Sequence, residues 1–142
     1  MTRFLWMLTL LFLAACSQDN LGTIHGKWAG VDPKDGIIVF HPDGRFESYT
    51  RDGASLFGES TQLTATWQSL DHEVPRQLFL KISYPAKTET VPLGIYRIKG
   101  HKLIIREPLT HHRTLGGVKL ETARYEMPKD FSGELTIFKR LP

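Results

Sequence analysis

A lone cysteine, Cys16, directly behind Leu13-Ala14-Ala15, and an adjacent histidine pair, His111-His112, are the residues best placed by type to do chemistry. The pair is a weak metal site. Neighbouring residues on a strand point to opposite faces, so two adjacent imidazoles reach one ion only from a loop, and no second cysteine or i/i+4 partner completes a ligand set. His41 reads as the lead-in to the Pro42 turn, and His25, His72 and His101 as solvated polar positions. None of Ser48, Ser55, Ser60, Ser69, Ser83 or Ser132 has the Gly-x-Ser-x-Gly frame of a strained nucleophile turn. Glu47, Glu121 and Glu134 fall on strand-like stretches with solvent-face readings, so paired carboxylates for glycosidic chemistry are not expected. The reading is a non-enzyme with no metal and no cofactor.

Cys16 carries the sharper signal. Arg3 supplies positive charge, Phe4 to Leu13 form a ten-residue apolar run with one threonine, and Ala14-Ala15 place small residues before the cysteine. That is the layout of an export signal. Ten residues rise about 15 Å as a helix, roughly half a bilayer's hydrocarbon core, so a cleaved leader fits better than a permanent span. Leu-Ala-Ala-Cys closing such a leader resembles the lipobox of bacterial lipoproteins. The resemblance implies a diacylglyceryl thioether on Cys16, cleavage between Ala15 and Cys16 and an acylated new amino terminus. Ser17 follows, where an aspartate would imply inner-membrane retention in many Gram-negative bacteria, so the expected address is the periplasmic face of the outer membrane. Residues 1–15 are then the signal, 16–23 a short lipidated tether and 24–142 the domain.

The tether Ser17 to Thr23 spans roughly 25 Å when extended, which keeps the domain near the lipid surface. After cleavage 127 residues remain, enough for one core. Without Arg3 the side chains carry 17 basic against 15 acidic groups, mixed along the chain, which excludes a nucleic-acid binder driven by charge. With one cysteine there is no internal disulfide, so stability rests on packing.

Turn signals recur every 8 to 12 residues between β-branched and aromatic runs, the pattern of an all-β domain. Strands are expected over Ile24 to Val31, Gly36 to His41, Arg45 to Thr50, Leu63 to Trp67, Leu78 to Ser83, Gly94 to Ile98, Lys102 to Arg106, Val118 to Tyr125 and Glu134 to Lys139. His41-Pro42-Asp43-Gly44 is the strongest hairpin signal, and Lys99-Gly100-His101 marks another. About eight antiparallel strands joined by short turns close into a small up-and-down barrel, which removes exposed edges; a β-sandwich is the alternative.

Two stretches resemble the lipocalin-like domains of small bacterial lipoproteins. Gly26-Lys27-Trp28 followed by the phenylalanine-bracketed turn Phe40 to Phe46 is similar to their Gly-x-Trp opening strand and hairpin. Gly94-Ile95-Tyr96-Arg97-Ile98-Lys99-Gly100-His101-Lys102-Leu103 is similar to a later Gly-x-Tyr-x-Ile-x-Gly hairpin. The resemblance implies that Trp28 plugs the closed end of a barrel beneath an arginine from a late strand, Arg140 or Arg124.

Residues 106 to 124 are locally basic, and Pro108 to Val118 is read as a protruding loop that offers His111, His112 and Arg113 to an acidic surface or anionic headgroups. Leu103-Ile104-Ile105 is apolar on both faces and calls for a cover on the outer one. The expected partners are membrane lipid through the acyl anchor and an envelope protein through contact, without nucleic acid. The alternative function is a lipocalin-type carrier of a small apolar ligand. An internal cavity of about 300 Å³ or more, lined by apolar side chains, favours the carrier. A filled interior with an exposed apolar patch favours protein contact.

Overall fold

Pro42, Asp43 and Gly44 reverse the chain as their types demand. His41 and Arg45 close the turn backbone to backbone, and Asp43 accepts from the Arg45 amide at 3.0 Å and its Nε at 2.8 Å. In the computed structural model, which describes residues 23–56, 63–115 and 118–142 and only the backbone of 111–115 and 118–123, this hairpin joins two of ten strands. They are β1 (Gly26–Gly30), β2 (Ile37–Phe40), β3 (Phe46–Tyr49), β4 (Thr64–Leu70), β5 (Gln77–Ser83), β6 (Thr88–Lys99), β7 (Lys102–Arg106), β8 (Leu109–Leu115), β9 (Val118–Glu126) and β10 (Thr136–Arg140). A single 3-10 turn, Pro33–Asp35, links β1 to β2.

Eight strands form one antiparallel sheet in the order β3-β2-β1-β10-β7-β6-β5-β4. Each barrel strand pairs with the next in the chain, except that β3 and β4 are the two edges of the sheet, β8 and β9 are set aside, and β10 returns to pair with both β7 and β1. This is an up-and-down barrel. β3 and β4 meet at one end through the Arg45–Thr66 bridge and the Trp67 amide, which donates to the Gly44 carbonyl at 2.9 Å, so the barrel is nearly closed. β8 and β9 form a separate two-stranded hairpin.

Alternation fills the interior. Trp28, Phe40, Leu78, Ile98 and Leu103 are fully buried in one cluster with Phe46, Ile105 and Phe138. At one end Phe40 packs on Phe46 at 5.2 Å and edge-on to Trp67 at 5.7 Å, with His25 against Trp67 at 5.3 Å. Arg140 seals that end. It faces Trp28 across the β1–β10 ladder, lies 4.1 Å over the indole, and donates to the carbonyls of His25 and Thr23, both at 2.6 Å. The indole N–H donates to the Ile24 carbonyl at 2.8 Å. Gly26 suits its place in the motif: its φ of +125° strains any other residue, and a Cβ there would stand 2.8 Å from the Arg140 Nη1 and push the guanidinium aside. Arg140, not Arg124, takes this position; Arg124 is exposed on β9.

The outer apolar face is covered by the chain's own segment between β9 and β10. Arg97 stacks 4.4 Å over Phe131, and Arg106 donates to the carboxylate and carbonyl of Asp130 at 2.7 and 2.8 Å. Ile104, the ladder partner of Arg97, is only 8% exposed.

Three readings are corrected. Pro108 to Val118 is not a loop, because β8 occupies 109–115. β6 begins at Thr88, not Gly94. The last strand begins at Thr136, leaving Glu134 outside it. Pro92 hid the early part of β6. β7 pairs with that strand only from Ile95 onward, so Pro92 lies where no ladder donor is required on that side.

Trp28→Ala is expected to lower unfolding free energy by about 3–5 kcal/mol in urea titration. Arg140→Met, which keeps the stem but loses the cation and both donations, is expected to lower it by about 2 kcal/mol. A loss below about 1 kcal/mol for Trp28→Ala would show that the ring is not a plug.

Candidate functional site: the mouth of the barrel

The end opposite Trp28 is built differently. Four core side chains, Ile38, Phe46, Ile105 and Phe138, form the floor of a cavity of about 320 Å³. Pro92 and Leu93 from β6 form one wall, and Pro108 with the base of the β8–β9 hairpin, Thr110 and Tyr125, forms the rim. Thr136 and Glu107 supply polar groups on one side, with the threonine hydroxyl 3.4 Å from the Glu107 carboxylate.

Local backbone geometry explains the wall. Leu78 pairs with Gly94 and Phe79 with Pro92, so Leu93 is an extra residue on β6 and forms a β-bulge. Bulges bend a strand and re-aim side chains, often at barrel rims. Gly94 makes the bend possible. It has φ +128°, and a Cβ there would lie 2.0 Å from the Arg106 carbonyl oxygen, so β6 and β7 cross too closely for any side chain. The same parity that turns Leu103 and Ile105 inward places Glu107 on the cavity side.

Phe46 also lines a second cavity, about 280 Å³, in the incomplete seam between β3 and β4, where Ala65 and Thr66 form the other wall. The cup therefore lies beside the one place where the barrel ladder is not continuous.

Elsewhere, polar groups brace the fold. Tyr96 donates to Asp71 at 2.6 Å, and burial, reinforced by that bond, pushes its phenol up to about 12. This ties the turn after β4 to the closed end. His41 Nε2 is 2.9 Å from Glu47, and the bond holds the carboxyl below its usual range despite some desolvation. Asp130 is lowered chiefly by hydrogen bonds from the Ser132 hydroxyl and amide. Among the described residues no three His, Cys, Asp or Glu side chains converge to hold a metal ion.

The residues singled out by sequence scatter. Trp28 and Arg140 meet at the closed end. His111 and His112 lie on β8 opposite Arg124 and Ala123, and the register shifts before Thr114. The side chains of His111, His112 and Arg113 lie outside the described residues, as do Leu13, Ala14, Ala15 and Cys16 altogether. Arg106 does not join this basic stretch, because it is bound to Asp130 on the outer face.

Sequence reasoning missed the cup. Its walls come from β2, β3, β6, β7 and β10 together with the hairpin base, and no single window contains two of its opposing sides. A proline followed by a glycine inside an apolar run, Pro92-Leu93-Gly94, was the available signal for the bulge. No protein-family model, curated protein or solved structure matches the chain.

Proposed function

We propose that this protein is a lipid-anchored carrier of the bacterial envelope that holds one small, largely apolar molecule in the mouth of its barrel. The observation that carries the reading is the cavity of about 320 Å³ floored by Ile38, Phe46, Ile105 and Phe138. Its volume falls within the range of small-molecule sites, and its lining is predominantly apolar with a few polar groups on one side.

The anchor suits this use. Thr23 is bound to Arg140 at the closed end, and Thr136, at the cup, lies four residues along β10, about 14 Å away. A tether on Cys16 that enters beside Thr23 leaves the mouth on the side away from the attachment point. A cargo can then be exchanged with the aqueous space or a partner without dismantling the plug. Two or more acyl chains give stable anchoring, where a single chain binds only marginally.

Contact with an envelope protein is the second reading, and one observation favours it. β8 and β9 pair only with each other among the described residues, with Leu109 46% and Tyr125 48% exposed at the base of the hairpin. A partner on the hairpin would sit directly over the cup, so the two readings share one surface.

Burying an eight-carbon chain gains at most about 6 kcal/mol, which corresponds to a Kd no tighter than tens of micromolar. 1-Octanol is expected to bind at one saturable site with a Kd of tens to hundreds of micromolar. Leu93→Trp, which fills the cup, is expected to weaken it at least tenfold while the melting temperature stays within a few degrees. Unchanged octanol affinity in that variant would contradict the reading.

The natural protein is expected to carry a diacylglyceryl thioether on Cys16 by mass spectrometry and to partition into detergent. Cys16→Ser is expected to abolish both properties. An unacylated start, or a retained leader, would remove the anchor from the account.

A further inference from the structure

Among the described residues that line the cup, Glu107 is the one charged at neutral pH, and the Thr136 hydroxyl lies 3.4 Å from its carboxylate. Resting on the proposed carrier reading, we infer that the cargo is an amphiphile with a protonated amine head, whose apolar tail enters the cup and whose ammonium is held by Glu107.

The placement of charge around the mouth supports this choice of head group. Glu107 forms no ion pair among the described residues, and its recorded polar neighbour is the Thr136 hydroxyl at 3.4 Å. Two cations lie close in the chain or in space, and both are committed elsewhere. Arg106 points to the outer face, where it binds the Asp130 carboxylate and carbonyl and the Ser132 hydroxyl at 3.1 Å. Lys34 pairs with Asp32 at 3.4 Å and lines a neighbouring polar cavity that Asp35, Glu134, Arg106 and Glu107 share. Among the described residues, an anionic head entering the cup would therefore meet a carboxylate, while the nearby cations Arg106 and Lys34 are paired with Asp130 and Asp32.

An ammonium has three donors and no acceptor. The Thr136 hydroxyl lies beside Glu107, and Thr110 and Tyr125 add two more hydroxyl-bearing residues to the lining of the cup. The charge-assisted bond to Glu107 supplies direction, and the hydroxyls complete the shell that the head group loses on leaving water. A neutral alcohol satisfies fewer of these positions, and a carboxylate repels the one charge present. Glu107 is exposed, so the selectivity is modest and sensitive to salt.

The test is a calorimetric comparison of octylammonium, 1-octanol and octanoate at pH 7, with the protein in lipid nanodiscs and empty nanodiscs as the partition reference. Octylammonium is expected to bind at least fivefold more tightly than 1-octanol, and octanoate most weakly. Glu107→Gln is expected to bring octylammonium to within twofold of 1-octanol in the same variant, with an unchanged melting temperature reporting that the variant is folded. Equal binding of all three ligands would overturn the head-group inference and leave the cup standing. A preference for octylammonium that survives Glu107→Gln would overturn it as well, because another group would then be the selector. If none of the three binds saturably in wild-type protein, the carrier reading and this inference fall together.

Discussion

One guanidinium decides how this barrel is arranged. Arg140, near the end of the last strand, lies over Trp28 in the first and reaches past it to the carbonyls of Thr23 and His25. It joins the two strands that must meet if a meander is to become a cylinder. A planar cation suits the place: it stacks on an indole with its face and donates with its edges, which an ammonium cannot do together. The surrounding positions follow. Gly26 must lack a side chain, the indole must be fully buried, and the chain before β1 must lie against the base of the barrel.

Closure at one end shapes the other. Trp28, Phe40, Phe46 and Trp67 crowd their rings toward the base, where Trp67 also donates to the His41 carbonyl at 3.0 Å. Above them the cup is lined by aliphatic groups, by Phe138 and by Phe46, which reaches it from the base. β2 and β3 are four residues long, and β6 runs for twelve, so the rim is uneven. The extra residue at Leu93 bends β6 at this height. The result is a cup above a filled core, with one acidic group at its lip.

The parts legible in the sequence were those set by local chemistry. Asp43-Gly44 and Gly100-His101 marked hairpins because their turns depend on a few adjacent residues. Trp28 was marked as a plug through the resemblance carried by Gly26-Lys27-Trp28, and the reason for Gly26 came only with the structure. β8 was not legible: Thr110, His111, His112, Arg113 and Thr114 are polar at every position, so neither alternation nor an apolar run marks a strand. The early half of β6 was masked by Pro92, a strand breaker whose cost vanishes only where β7 has already ended. The cup was not legible because it depends on long-range register. Ile38, Leu93, Ile105 and Phe138 come from four strands, and only the pairing of β10 between β7 and β1 brings them together.

The central claim is that an apolar guest occupies the upper half of the barrel while the lower half stays packed. Intermolecular NOEs between octylammonium and a methyl-labelled protein test it most directly. The account predicts saturable NOEs from the octyl chain to the methyls of Ile38, Leu93 and Ile105, which line the cup, and none to Ile24, Ile98 or Leu103, which are buried in the core and do not line it. NOEs confined to the outer face, or reaching the base methyls as strongly as the floor, would contradict it.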